Sequence, residues 1–242
     1  MTAQVIYPGT DLEAMSAAAR YPRWIVDEFR ASLGRHVVEV GAGAGAISAL
    51  LLAEAPETLT LVEPSAMFTL LTTNVPARDT APRVRHHQAL FADISPQLTP
   101  TPDTVVYVNV LEHVADDEAE LRLIWEALSP GGRCLVFVPA LRSLYSPFDR
   151  RLGHYRRYSK KELVAKSESA GFEVLSAKYF DVAGVLPWFV RFRVLRASGL
   201  GAASVAAYDR WVVPVTRRVE RLIRAPFGKN VLAVLAKPHA TD

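Results

Sequence analysis

The chain has 242 residues, half of them apolar, with 28 basic against 25 acidic side chains and a single cysteine. That length buries one large core, so one domain over residues 1–242 is expected, and the lone Cys134 excludes an intrachain disulfide framework. The near-even charge hides an asymmetry, because residues 1–150 carry 11 basic and 18 acidic side chains whereas residues 151–242 carry 17 and 7.

In chain order, Met1 to Pro8 shows no basic segment followed by an apolar one, and no uncharged apolar run reaches the ~18 residues of a membrane span. A soluble cytoplasmic protein is therefore expected. Tyr21, Trp24, Ile25 and Phe29 have helical spacing. The run His36-Val-Val-Glu-Val-Gly-Ala-Gly-Ala-Gly-Ala-Ile47 then joins an apolar strand (Val37–Val40) to a glycine turn and to a helix from Ala46. Gly41, Gly43 and Gly45 let the backbone turn sharply beside a ligand, and the helix start offers N–H groups to it. By spacing alone the loop suits dinucleotides as well. A second strand, Leu59–Val62, ends at Glu63, about twenty residues on, where a carboxylate accepts ribose hydroxyls. Met67, Phe68, Leu70 and Leu71 predict a core-facing helix.

Further strands are expected at Val84–His87, Thr104–Asn109, Cys134–Val138, Phe172–Phe180 and Val231–Ala236. Asp117 and Glu120 have capping-box spacing, and Leu121, Ile124, Trp125 and Leu128 form one apolar face that ends at Pro130-Gly131-Gly132. Helical stretches between the first five strands predict a doubly wound parallel sheet with its ligand at the C-terminal strand ends. Cys134 reads as a buried strand residue. No metal site is expected: the histidines show no H-x-x-x-H spacing, and Asp116-Asp117 reads as a helix cap. Two segments, Pro139–Ser159 and Asp181–Lys229, are too long for simple connections and lie where specificity is built.

The ordered set of Glu39-Val-Gly-Ala-Gly-Ala-Gly45, Glu63 after strand two, Leu111-Glu112-His113 after strand four and Pro130-Gly131-Gly132 before strand five resembles class I S-adenosylmethionine-dependent methyltransferases. It spans roughly residues 21–180, and Leu144 to Ser159 is similar to a bacterial, type 11-like subgroup acting on small molecules. The resemblance implies a Rossmann-like α/β sheet of seven strands with the last inserted antiparallel, and S-adenosyl-L-methionine as cofactor. It further implies that Glu39 meets the methionine amino group and that Gly41, Ala42, Gly43 and Gly45 contact the cofactor through backbone. Glu63 would take the ribose, Pro64 and Ser65 would border adenine with Leu90 and Phe91, and Asn109, Val110 and Leu111 would lie beside the reacting centre. Tyr21 would close over the cofactor. Asp93 is displaced from the place where relatives carry an adenine ligand.

For proton removal the candidates are His113, His154, Asp149 and Tyr155, since histidine accepts protons near neutral pH. Tyr145, Arg156, Tyr158, Tyr179 and Trp188 are candidates for holding the substrate, a guanidinium suiting an anionic group. The expected reaction is methyl transfer to O, N or C of a small organic acceptor such as an aromatic secondary metabolite. An NAD(P)-dependent oxidoreductase and a non-catalytic binding protein remain as alternatives. Residues 181–229 are expected to cap the acceptor. Their Val215, Val219 and Leu222, interleaved with Arg217, Arg218, Arg221 and Arg224, suit either packing on the domain or peripheral contact with a membrane. No nucleic-acid partner is expected.

Overall fold

The computed structural model describes residues 17–239. Seven strands form one sheet: β1 (His36–Val40), β2 (Thr58–Val62), β3 (Arg83–His87), β4 (Thr104–Val108), β5 (Arg133–Pro139), β6 (Glu173–Phe180) and β7 (Asn230–Ala236). Their spatial order is β3-β2-β1-β4-β5-β7-β6. β1 pairs in parallel with β2 and β4, while β7 runs antiparallel between β5 and β6. The seven expected strands are all present, each within a residue of its predicted ends.

Alternation along the strands divides the interior into two apolar layers. Val38, Val105, Tyr107, Cys134 and Val136 face one, with Leu121 and Ile124 of helix α5 (Asp117–Ala127), Leu128 just after it, and Leu163 of α7 (Lys160–Ser169). Val37, Val106, Leu135 and Phe137 face the other, against α1 (Arg20–Phe29), α2 (Ala46–Ala53) and α3 (Phe68–Asn74). The central strands are covered on both faces, which is why they read as continuous β-branched runs. Connections leave β1 and β4 in opposite directions, so the crevice between their C-terminal ends is the topological switch point.

Two local expectations are corrected. The N-cap of α5 is Asp116, whose carboxylate accepts the Ala119 N–H at 2.9 Å, and Asp117 turns inward. Glu120 closes no capping box; it accepts the Tyr107 hydroxyl at 2.5 Å. In α3 only Leu71 is fully buried, and Leu70 lies outward. Cys134 is fully buried, and burial pushes its thiol far above the ordinary range.

Between β6 and β7 the chain forms a helical insertion. α8 (Val185–Trp188) runs on as a π-helical turn over Phe189–Val194; later α9 (Ala202–Ala207), a π-turn at Tyr208–Val212 and α10 (Val213–Leu222) are continuous. Polar clasps fix the second limb to the domain. Asp209 accepts the N–H groups of Arg20 and Tyr21, Arg217 pairs with Asp27 at 2.7 Å, and Glu220 accepts the N–H groups of Asp181 and Val182. Among the described residues no helix is long and apolar enough to cross a membrane.

Candidate active site

The glycine turn sits at the switch point and is held by backbone. Gly41 and Ala42 both donate to the Val62 carbonyl, at 2.8 and 3.1 Å, tying the turn to the end of β2. Gly41, Gly43 and Gly45 all have positive φ, at 69°, 55° and 91°, a region that side-chain-bearing residues avoid. At Gly41 a Cβ would lie 2.3 Å from Val110, so the turn and the segment after β4 are in contact. At Gly43 a Cβ would meet nothing within 4 Å, leaving open space above the loop.

Two carboxylates face this turn. Glu63, nearly buried, accepts the N–H groups of Gly43 and Ser65, both at 2.8 Å, so it shapes the loop directly. Glu39 is 3% exposed, and its Oε2 has no hydrogen-bond partner. Burial, followed by the charge of Glu63, pushes it up to about 8, against the Ser48 hydroxyl. An orphaned buried carboxylate beside an open glycine cradle fits an amino-acid ammonium, which would supply both the missing partner and the missing charge. The residues present therefore fit S-adenosylmethionine. Ser65 is buried and Pro64 half-buried after β2, while Leu90 is exposed where an adenine would lie. Phe91 is different: it is buried edge-on against Tyr107, so its ring belongs to the core. Asp93 accepts the Leu90 N–H at 3.3 Å, capping α4 (Phe91–Ile94), which accounts for its displacement.

Asn109 leaves β4 with φ 55° and is exposed, Val110 packs on the glycine turn, and Leu111 is fully buried. Tyr21 is nearly buried among Trp24, Phe137 and Phe180; its hydroxyl contacts Asn230 at 3.1 Å. Behind it Asp181, fully buried, accepts Tyr208 and pairs with Lys229 at 2.8 Å. The Lys229 ammonium lies 4.7 Å from the centre of the Tyr21 ring. Trp24 packs tightly on Phe180 and is a core residue.

Beyond Val110 the site is built from side chains. His113 and His154 meet edge to face with ring centres 4.6 Å apart. His154 Nδ1 lies 3.2 Å from Asp149, and its Nε2 lies 4.0 Å from Glu112 Oε1. Glu112 is fully buried with no hydrogen-bond partner on either oxygen, and burial pushes it up to about 7 despite His154 and Arg157. Burial and the neighbouring His154 depress His113 to about 4, against its hydrogen bond to the Gly153 backbone. Asp149, on the short helix α6 (Pro147–Arg151), is fully buried. Burial alone would raise it, but hydrogen bonds from His154, Ser146 and Arg157 and the Arg157 charge hold it below the usual carboxylate range.

The other candidates separate. Tyr155 is 61% exposed, its ring lying against Arg156 rather than the histidines. Tyr158 is fully buried and donates to Asp117 at 2.8 Å, and Arg156 and Lys166 also reach Asp117, at 2.6 and 2.7 Å. These are internal fastenings, and the structure places Tyr158 and Arg156 in them instead of in an open pocket. Tyr145 donates to the His154 carbonyl at 2.7 Å and so fixes that loop. Tyr179 lies on the edge strand β6, with its hydroxyl accepting the Lys160 N–H at 3.4 Å and its ring under the Lys160 ammonium. Trp188 packs on Phe192 and over Arg157, and its buried indole N–H has no partner.

Sequence reasoning missed Glu112 as the centre of this group and Asp117 as a hub. It also expected no metal-type grouping, yet Glu112, His113 and His154 bring one donor atom each within 4.8 Å of one another. That is wider than one coordination shell, in which bonds of about 2.1 Å would draw the donors closer together. His154 arrives from the loop after β5, so no local spacing signals the group.

A family model described as a methyltransferase domain matches residues 15–177. The chain belongs to this methyltransferase family; it is an S-adenosylmethionine-dependent enzyme, and the oxidoreductase alternative falls. No curated protein sequence matches. Among solved structures the fold is similar to that of the cyclase SpnF, with 18% identity over 92% of this chain and 81% of that one, at a TM-score of 0.58. It is similar also to a Haloferax volcanii putative methyltransferase in complex with the Trm112 activator, at 19% identity, 95% and 98% coverage and TM-score 0.58. A third is the Burkholderia thailandensis 1,6-didemethyltoxoflavin-N1-methyltransferase with its substrate and S-adenosylhomocysteine, at 15% identity, 96% and 83% coverage and TM-score 0.58.

Proposed function

We propose that this enzyme methylates a small organic acceptor, aromatic in character, at an O–H or N–H group whose proton is taken up by the Glu112–His154–Asp149 array. The observation that carries this reading is the buried Glu112 carboxylate, orphaned on both oxygens and titrating at about 7. A proton acceptor works best with a pKa near the operating pH. His113, held at about 4, stays neutral and serves as a hydrogen-bond partner.

Bound S-adenosylmethionine supplies an electrophilic methyl group on its sulfonium. Glu39 would hold the amino group, the Gly41–Gly45 backbone the carboxylate side, and Glu63 the ribose. His154 hands the acceptor's proton toward Glu112, while Asp149, itself clamped by Arg157 at 2.7 Å, fixes the imidazole and acts as a positioning residue. Trp188 and the insertion over residues 181–229 cover the acceptor and exclude water that would compete for the methyl group.

The test is a panel of phenolic and heteroaromatic acceptors assayed for methylated product across pH. A rising limb in kcat near pH 7 that Glu112→Gln abolishes is expected, with cofactor affinity retained. A chelator should leave the rate unchanged. A profile flat through pH 7 in wild type and variant alike would remove Glu112 from proton transfer.

A further inference from the structure

The apolar surface of this protein is not scattered. Of the 15 large apolar side chains exposed among the described residues, 11 lie between Leu186 and Phe227. That segment also carries eight arginines, no lysine and two acidic residues. Both acids are consumed internally: Asp209 accepts backbone N–H groups of α1, and Glu220 accepts those of Asp181 and Val182.

The pattern is sharpest on the continuous helix that ends in α10. Trp211, Val215, Val219 and Leu222 are spaced by four, four and three residues, which puts them on one helical face. They are 67%, 59%, 41% and 86% exposed. Val213 and Thr216, buried, and the clasped Glu220 occupy the opposite face, toward the domain. Packing on the domain therefore does not account for the apolar stripe. Arg218, Arg221 and Arg224 are exposed along it, and the Arg210 guanidinium stacks 4.9 Å from the Trp211 ring centre.

We propose that this stripe docks the enzyme onto an anionic membrane surface, with Trp211, Val215, Val219 and Leu222 entering the interface and Arg218, Arg221 and Arg224 meeting lipid phosphates. An exposed apolar face rimmed by arginines, on a helix lying flat against its own domain, has the character of an interfacial helix. Charge complementarity selects the occupant. Two copies joined through this face would bring like arginine rims together, which opposes self-association. The insertion links the C-terminal end of β6 to the start of β7, which pairs with the C-terminal ends of β5 and β6 at the sheet edge that carries the glycine turn and the histidines, so docking would bring that edge beside the bilayer.

The experiment is flotation of the full chain with phosphatidylcholine vesicles, with and without phosphatidylglycerol, following Trp fluorescence. Binding is expected only with the anionic lipid, accompanied by a blue shift that Trp211→Ser removes. The pair Arg218→Gln and Arg221→Gln should weaken binding by roughly tenfold or more. The triple Val215→Gln, Val219→Gln and Leu222→Gln should abolish it while leaving the melting temperature and the affinity for S-adenosylhomocysteine unchanged. A wild type that floats with neither vesicle overturns the proposal. So does a triple variant that lowers the melting temperature or converts a dimer to a monomer in sedimentation, because the stripe is then covered by protein. Neither result bears on cofactor binding or on the reaction at Glu112.

Discussion

The two sides of the switch point are built on different principles. On the β1–β2 side backbone holds backbone: Gly41 and Ala42 donate to Val62, Glu63 accepts Gly43 and Ser65, and one carboxylate oxygen, Glu39 Oε2, is left without a partner. On the β4–β5 side side chains meet side chains, with Arg157 clamping Asp149, Asp149 meeting His154 and Glu112 beyond it in a buried row. The first side is a preformed cradle whose open space and buried carboxylate fit the methionine end of S-adenosylmethionine. The second is an electrostatic chain that can be retuned residue by residue, which suits an acceptor that differs between enzymes on one fold.

Breaking the side-chain half should cost the most. Asp149→Ala leaves the buried Arg157 uncompensated, so unfolding stability should fall by about 3–5 kcal/mol in chemical denaturation, and activity with it. Next, Gly41→Ala forces a Cβ to 2.3 Å from Val110 at a φ of 69°, and should lower both stability and cofactor affinity, measured by melting with and without S-adenosylhomocysteine. Gly43→Ala is the sharper comparison: its Cβ meets no protein atom, so it should weaken cofactor binding more than it weakens the fold. The smallest effect belongs to Tyr158→Phe, which removes one buried hydroxyl donor to Asp117 and should cost about 1 kcal/mol.

The orphaned carboxylates add a pH dependence. Glu39 and Glu112 titrate higher in the folded protein, at about 8 and about 7, than their ordinary value of 4.5. Their contribution to stability is therefore full below pH 4.5 and is lost as pH rises through 7 and then 8. The ligand-free protein should melt lower at pH 8.5 than at pH 5.5 on their account, and Glu39→Gln should recover part of the difference.

How much was legible in the sequence follows the same division. Glycine spacing announces the cradle because positive φ restricts residue type, and strand limits follow from β-branched runs buried on both faces. Tyr158 and Arg156 looked like pocket residues because an aromatic or a guanidinium carries no mark of whether its partner is a substrate or Asp117. Asp117 itself looked like a cap, since its neighbour Asp116 carries the same charge and only the arrival of Lys166 and Arg156 turns it inward. Glu112 gained its meaning from His154, which the fold brings across from the loop after β5.

Glu39 and the glycine turn are proposed as the cofactor's amino-acid site. Calorimetric titration with S-adenosylhomocysteine in two buffers of different ionisation enthalpy, at pH 6.5, tests it most directly. Ionisation of Glu39 on meeting the ammonium predicts saturable binding with release of close to one proton, an affinity that climbs with pH toward about 8, and loss of the proton release in Glu39→Gln. Binding without proton release, or unchanged by Glu39→Gln, would contradict the account.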